Sequence, residues 1–569
     1  MTGRRWWTLL LAVALLAAAC DGGGDVAGDG GGEPRGVKRG TLRIFNHGDV
    51  DALDPGIAYG AVDWALLRGV VRELYSFDSR HRDERRLMPV PDLADGPYRL
   101  SSDGRTYTFR LREGVWYAPP VDREVEARDF VYAVERQLDP DHPSPNPYSS
   151  LIDGVAEFAA GKTRSISGMR APNRRTLVIT LKQPASDFPS ILTLPFFSPV
   201  PEEYASRLEP GREYAAKLAA SGPYRVRSFV PGRLIELVRN ENWDPKTDPL
   251  RSAWVDKVTV TVGRTETGIQ QAIEKGEADL NLDLIPPPNA DLVRLSGDRD
   301  LSEQLAVETT GCVHYLTMQT DAGPTRERKV RQAVNYAIDR QAVVLALGGR
   351  YAGEPASTIL SPTLAGYSAF DLYPSQDARG DPEKAKALLA EAGFAKGVTL
   401  TYVGQSSAPW KALYDALEAS LLRAGIRLKP KFYRYPQVYN QSLRLQAKKH
   451  DRHLGAARWC PDYPGNGSRS LGVLLDGRKV TPTANNNFGN YDNPKVNAMI
   501  DQASTSQDEK ARNALWGQID RLAMEDAAWA PLVYDREAYF WSSRVRNWTF
   551  TPWLSNPDIT NLWLDPNTP

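Results

Sequence analysis

Cysteine is nearly missing from this chain: 569 residues hold three, at 20, 312 and 460. Charge of one sign is missing too. Seventy Lys and Arg balance seventy Asp and Glu, so the formal net charge is zero and nothing asks for nucleic acid or an acidic polymer. Histidine is scarce, with six in all, none in a His-Glu-x-x-His frame. His450 and His453 lie one helical turn apart without an acidic or thiol partner, so no metal or cofactor is expected. No phosphate-cradling loop occurs; Gly161-Lys162-Thr163 comes nearest, but Ala156 stands where its first glycine is needed. No Gly-x-Ser-x-Gly elbow is present, and no spacing marks a catalytic carboxylate pair. An enzyme is therefore not expected. Apolar runs long enough to span a bilayer, about 20 residues, are absent as well.

What is present begins at the N-terminus. Arg4 and Arg5 precede an apolar run, Leu9 to Ala19, that ends in small residues and Cys20. This is the pattern of an export signal whose cysteine is lipidated after cleavage. A lipoprotein signal usually carries Leu three residues before the cysteine; here Ala17 holds that place and Leu16 precedes it. The alternative is an ordinary signal peptide cleaved near Ala19. The general secretory path is expected, although Arg4-Arg5 also permits a twin-arginine route. Asp21 to Gly40 is Gly-rich, has little to bury, and reads as a tether. The chain is thus expected outside the cytoplasm, anchored to the cell membrane through Cys20. That leaves Cys312 and Cys460 in an oxidising compartment, as one internal bridge or as two thiols that never meet.

The remaining ~530 residues are too many for one core. Thr41 to Phe45 reads as a strand, and alternation at Tyr107/Phe109/Leu111, Leu177/Ile179/Leu181 and Val258/Val260/Val262 marks three more. Val330, Val334, Ala337 and Ile338 share a helical face. Asp381-Pro382 starts a helix that Gly393 stops. Thr399 to Val403 is a strand, Trp410, Leu413, Leu417 and Leu421 stripe a helix, and Ile426 to Phe432 is the next strand. This alternation predicts an α/β layer with parallel strands after about residue 310.

Eight blocks in order carry a resemblance: Leu53-Asp54-Pro55; Asp103 through Arg112; Val125 through Tyr132; Ser221 through Val226; Arg239-Asn240-Glu241-Asn242-Trp243; Gly276 through Leu280; Val330 through Arg340; and Trp459-Cys460-Pro461-Asp462-Tyr463-Pro464. From Gly40 to the C-terminus the chain resembles the extracellular solute-binding proteins of family 5, the oligopeptide- and dipeptide-binding receptors of ABC importers. The resemblance implies an α/β, two-lobed, type II periplasmic-binding-protein fold with an additional inserted domain. It implies a discontinuous domain I (40–75, 217–311 and 530–569), a domain II (76–216) and a domain III (312–529). A monomer is expected to trap a peptide between the lobes and present it to ABC permease subunits. The resemblance also pairs Cys312 with Cys460 and assigns the peptide ammonium to Asp462. Trp459 and Tyr463, which flank it, would wall the cleft or belong to the core. Tyr148, and Asn486 and Asn487 beside Asn485, would reach the peptide backbone. Arg452 and Arg458 match no family position and read as solvated basic surface. Other readings are a receptor for a nickel complex, haem or a sugar, a peptide-sensing lipoprotein without transport, and a secreted hydrolase.

Overall fold

The computed structural model describes residues 36–569 except Pro143, 447–450, Asn466 and Pro569; the leader and Cys20 lie outside the described residues. Thr41–Phe45 is a strand because Leu42 and Ile44 alternate with polar residues and both are fully buried. It pairs in parallel with Lys257–Thr261, which buries Val258 and Val260 by the same alternation. Leu234–Arg239 and Tyr224–Val230 complete this four-stranded sheet by antiparallel pairing. A second sheet of four strands comes from the inserted segment. Its two central strands, Thr106–Arg110 and Thr176–Thr180, bury Tyr107, Phe109, Leu177 and Ile179. Apolar residues from both sheets merge into one core, which forms the first lobe.

The second lobe is built on a six-stranded sheet in the order Gly353–Pro355, Trp529–Phe540, Leu305–Met318, Leu454–Trp459, Val398–Gln405, Ile426–Tyr433. Its local signals act as the sequence suggests. Asp381 caps the Pro382–Glu391 helix by accepting from the Lys384 backbone N–H at 2.9 Å. Just past the helix end, Gly393 takes φ +86°, a conformation that a side chain disfavours. Leu413, Leu417 and Leu421 bury one face of the Ala408–Arg423 helix.

The predicted parallel layer is realised in only half of this sheet. Val398–Gln405 runs parallel to Ile426–Tyr433 and to Leu454–Trp459. The Leu305–Met318 strand instead pairs antiparallel with both Leu454–Trp459 and Trp529–Phe540. The reason is topological. The chain enters the second lobe along Leu305–Met318 and leaves it along Trp529–Phe540, so the two crossover strands must run in opposite directions, whereas helical crossovers return the chain in parallel.

One buried acid makes the stability of this lobe pH-dependent. Asp520, on the Glu509–Glu525 helix, accepts from the Ile359 and Leu360 backbone N–H groups at 3.0 Å each. Burial outweighs these two bonds and raises its pKa to about 7. The folded protein therefore keeps a proton between about pH 4 and 7 that the unfolded chain has released. The contribution of Asp520 is greatest below pH 4 and is lost as pH rises to 7, by at most about 1.4 kcal/mol per unit. Urea unfolding at pH 5 and pH 7 should show a smaller fall in stability for Asp520→Asn than for the parent; an equal fall counts against the assignment.

Candidate ligand-binding site

The site grows from a fault in the long crossover pair. Thr309 is opposite Arg536, but the next aligned pair is Val313 and Tyr534, so Thr310, Gly311 and Cys312 bulge out of register. On its other edge Val313 aligns with Trp459. Cys312, just before Val313, and Cys460, just after Trp459, are joined by a disulfide across 148 residues of sequence. The bridge fixes the loop that leaves the Leu454–Trp459 strand. Asp462 lies two residues further along that loop.

Asp462 reaches out of the second lobe toward the first. Its Oδ1 accepts from Tyr59 Oη at 2.9 Å, and its Oδ2 accepts from Tyr148 Oη and from Arg469 Nη2, the latter at 2.9 Å. Burial, and next the Asp462 charge, push both phenol pKa values up, which keeps the hydroxyls protonated as donors. Arg469 belongs to the short Gly467–Arg469 turn, and its guanidinium carbon lies 4.9 Å from the centre of the Tyr148 ring. Beside Asp462 the facing surfaces leave a void of about 20 Å³, room for about one water.

The other expected residues divide into two groups. Tyr463 is 1% exposed and packs with the first lobe's core, although its chain segment belongs to the second lobe. Its hydroxyl donates to Asp187 at 2.6 Å, and Ser468 donates to the same carboxylate oxygen. Trp459 is half-buried and donates from Nε1 to the Arg469 carbonyl at 2.8 Å, so it braces the turn behind the site. Asn486 and Asn487 sit in a separate turn over 485–491. Asn487 spends its amide on the Tyr491 backbone, donating at 2.7 Å and accepting at 3.0 Å, and Asn485 bonds within the same turn. The Asn486 side-chain oxygen is buried without a hydrogen-bond partner.

Arg452 is not the solvated surface that the sequence suggested, whereas Arg458, with its side chain 36% exposed, is partly solvated but paired. Arg452 is 3% exposed and donates to the carbonyls of Ser442 and Phe488, a backbone-bracing role. Arg458 pairs with Asp535 at 2.5 Å and stands 3.6 Å from Glu537. A second cavity of about 750 Å³ opens between the 85–88 segment and the second lobe, with Tyr367, Phe370, Asn513 and Arg521 among its walls; none of the expected site residues line it. Sequence reasoning missed Tyr59, Asp187, Ser468 and Arg469. Arg469 had one weak signal, its position seven residues after Asp462. Tyr59 and Asp187 had none, because only folding brings them across the lobe boundary.

Two lobes joined by paired crossover strands, with side chains meeting across the boundary, define a two-lobed binding protein of type II fold. The family model described as "Bacterial extracellular solute-binding proteins, family 5 Middle" matches residues 88–481, and the chain belongs to that family. Among solved structures, it is similar to clavulanic acid biosynthesis oligopeptide binding protein 2, with 32% identity and a TM-score of 0.86 over 93% of this chain and 96% of that one. It is 25% identical to the periplasmic oligopeptide-binding protein OppA of Salmonella typhimurium over 97% of this chain and 96% of the relative. It is 27% identical to haem-binding protein A of Haemophilus influenzae over 81% of this chain and 82% of the relative.

Proposed function

We propose that this protein captures peptides between its lobes and delivers them to the permease of an ABC importer. The observation that carries the reading is Asp462, a carboxylate of one lobe held against Tyr59 and Tyr148 of the other. A peptide ammonium in that position would donate a charge-assisted hydrogen bond to Asp462 in a largely dehydrated gap, the setting in which such bonds are strong. Tyr148 would then contact the ligand from the first lobe, while Trp459 and Tyr463 support the site from behind. In this reading 40–75, 217–311 and 530–569 form domain I, 76–216 domain II and 312–529 domain III, and closure is a hinge motion on the crossover strands. The protein acts as a binding monomer without catalysis, outside the cytoplasm, tethered through lipidated Cys20. Among the described residues no helix is long and apolar enough to cross a membrane, and a lipid chain would supply the attachment.

Native mass spectrometry of the full chain extracted from membranes tests both parts at once. The polypeptide mass should begin at a lipid-modified Cys20, and gentle desolvation should release bound peptide. A mature chain without lipid would remove the tether. A released haem, with its Soret absorbance, would replace the peptide reading by the one that the Haemophilus relative's name carries.

A further inference from the structure

The carboxylate assigned to the ligand's cation already has a cation. Among the described residues the ion pair of Asp462 is with Arg469, whose own lobe also supplies Asp462. A carboxylate has about four acceptor positions. Three donors occupy Asp462: Tyr59 Oη, Tyr148 Oη and Arg469 Nη2. Arg469 is poorly served in return. Its Nε is buried without an acceptor, and its side chain is 22% exposed. Its main chain is nevertheless held firmly, because its carbonyl accepts from Trp459 Nε1. The guanidinium crosses the lobe boundary to lie over the Tyr148 ring of the first lobe. Each lobe thus contributes two members to one cluster in which the charges cancel and the phenols find an acceptor.

We propose that Arg469 is an internal substitute for the ligand's cationic group, and that the cluster of Tyr59, Tyr148, Asp462 and Arg469 latches the lobes shut by itself. The inference rests on Asp462 being the ammonium site. About one acceptor position is left, so an arriving ammonium with three N–H donors can make a second bond to Asp462 only by taking a position already held, and ligand selection at this site is a competition between two cations for one carboxylate. Arg469 sets the threshold: it weakens binding of every amine-bearing ligand by the free energy of its own pairing, and it disfavours ligands without a cation, which cannot displace it. Replacing it with an uncharged side chain leaves the largely buried Asp462 carboxylate, 13% exposed, beside two phenols with no counter-charge, which favours separation of the lobes.

The test uses the full chain freed of ligand by unfolding and refolding, with circular dichroism confirming the fold. Small-angle scattering should give a compact parent, a larger radius of gyration for Arg469→Met, and a compact Arg469→Lys, which keeps the charge. A parent as expanded as Arg469→Met, or an Arg469→Met as compact as the parent, overturns the latch. Titration with tri-alanine and with N-acetyl-tri-alanine forms a second arm. Arg469→Met should bind tri-alanine at least about tenfold more tightly than the parent, the scale of one charge-assisted bond no longer competed for. Weaker binding would make Arg469 a ligand contact and overturn the competitor role. If tri-alanine binds neither protein, the peptide reading of Asp462 fails at that step, and the scattering result still decides the latch.

Discussion

Asp462→Ala is expected to weaken peptide binding at least about a hundredfold in a protein that remains folded. The physical basis is the asymmetry of buried charge pairs. Removing one partner strands the other in a poorly hydrated place, at a typical cost of about 3–5 kcal/mol, and each 1.4 kcal/mol is a factor of about ten in affinity. Asp462 is suited to show the full effect, because two phenols and a guanidinium converge on it at the lobe boundary. Alanine also leaves Arg469 without its partner, so some of the loss appears as reduced stability. Asp462→Asn keeps the shape and removes the charge, which separates the two costs. Calorimetric titration with a free peptide and its N-acetylated form gives the reading. The free peptide should lose affinity in both variants, and the acetylated form, which brings no ammonium, should change little. Unchanged affinity of the free peptide for a folded Asp462→Ala removes Asp462 from the ligand site.

Replacing both Cys312 and Cys460 by serine is expected to lower stability by about 5 kcal/mol in the chain-entropy account of disulfides. The size follows from the long stretch of chain, 148 residues, whose ends the bridge holds together in the unfolded state. Urea unfolding of parent and double variant, with the slope checked for constancy, reads the difference. Equal midpoints sink the prediction, as does an alkylatable thiol at Cys312 in the native oxidised protein. The same change should loosen the site, because the bridge ties the crossover strand to the loop that carries Asp462. A fall in peptide affinity should accompany the fall in stability.

Local patterns were legible wherever one segment could satisfy itself. The alternation at Leu42 and Ile44, the Asp381 cap and the Leu413, Leu417 and Leu421 stripe each report a preference of neighbouring residues, and each appears in the structure. Strand direction was less legible. Helical crossovers announce parallel neighbours, but nothing local announces that Leu305–Met318 and Trp529–Phe540 meet over 200 residues apart in antiparallel register. Arg452 shows the limit for single residues. A basic side chain among polar neighbours suggests surface, yet this one is buried because the carbonyls of Ser442 and Phe488 satisfy it.

By itself, then, the chain's order of residues carried the resemblance to the family and the mixed α/β character, and through that resemblance it implied the bridge between Cys312 and Cys460 that the fold contains. Folding alone decided who meets Asp462. Tyr59 and Tyr148 lie 403 and 314 residues before it, and Arg469 lies seven after it. Hydrogen bonds and ion pairs act over a few ångströms, so their partners are set by which surfaces the lobes bring face to face, a distance that spacing along the chain does not encode.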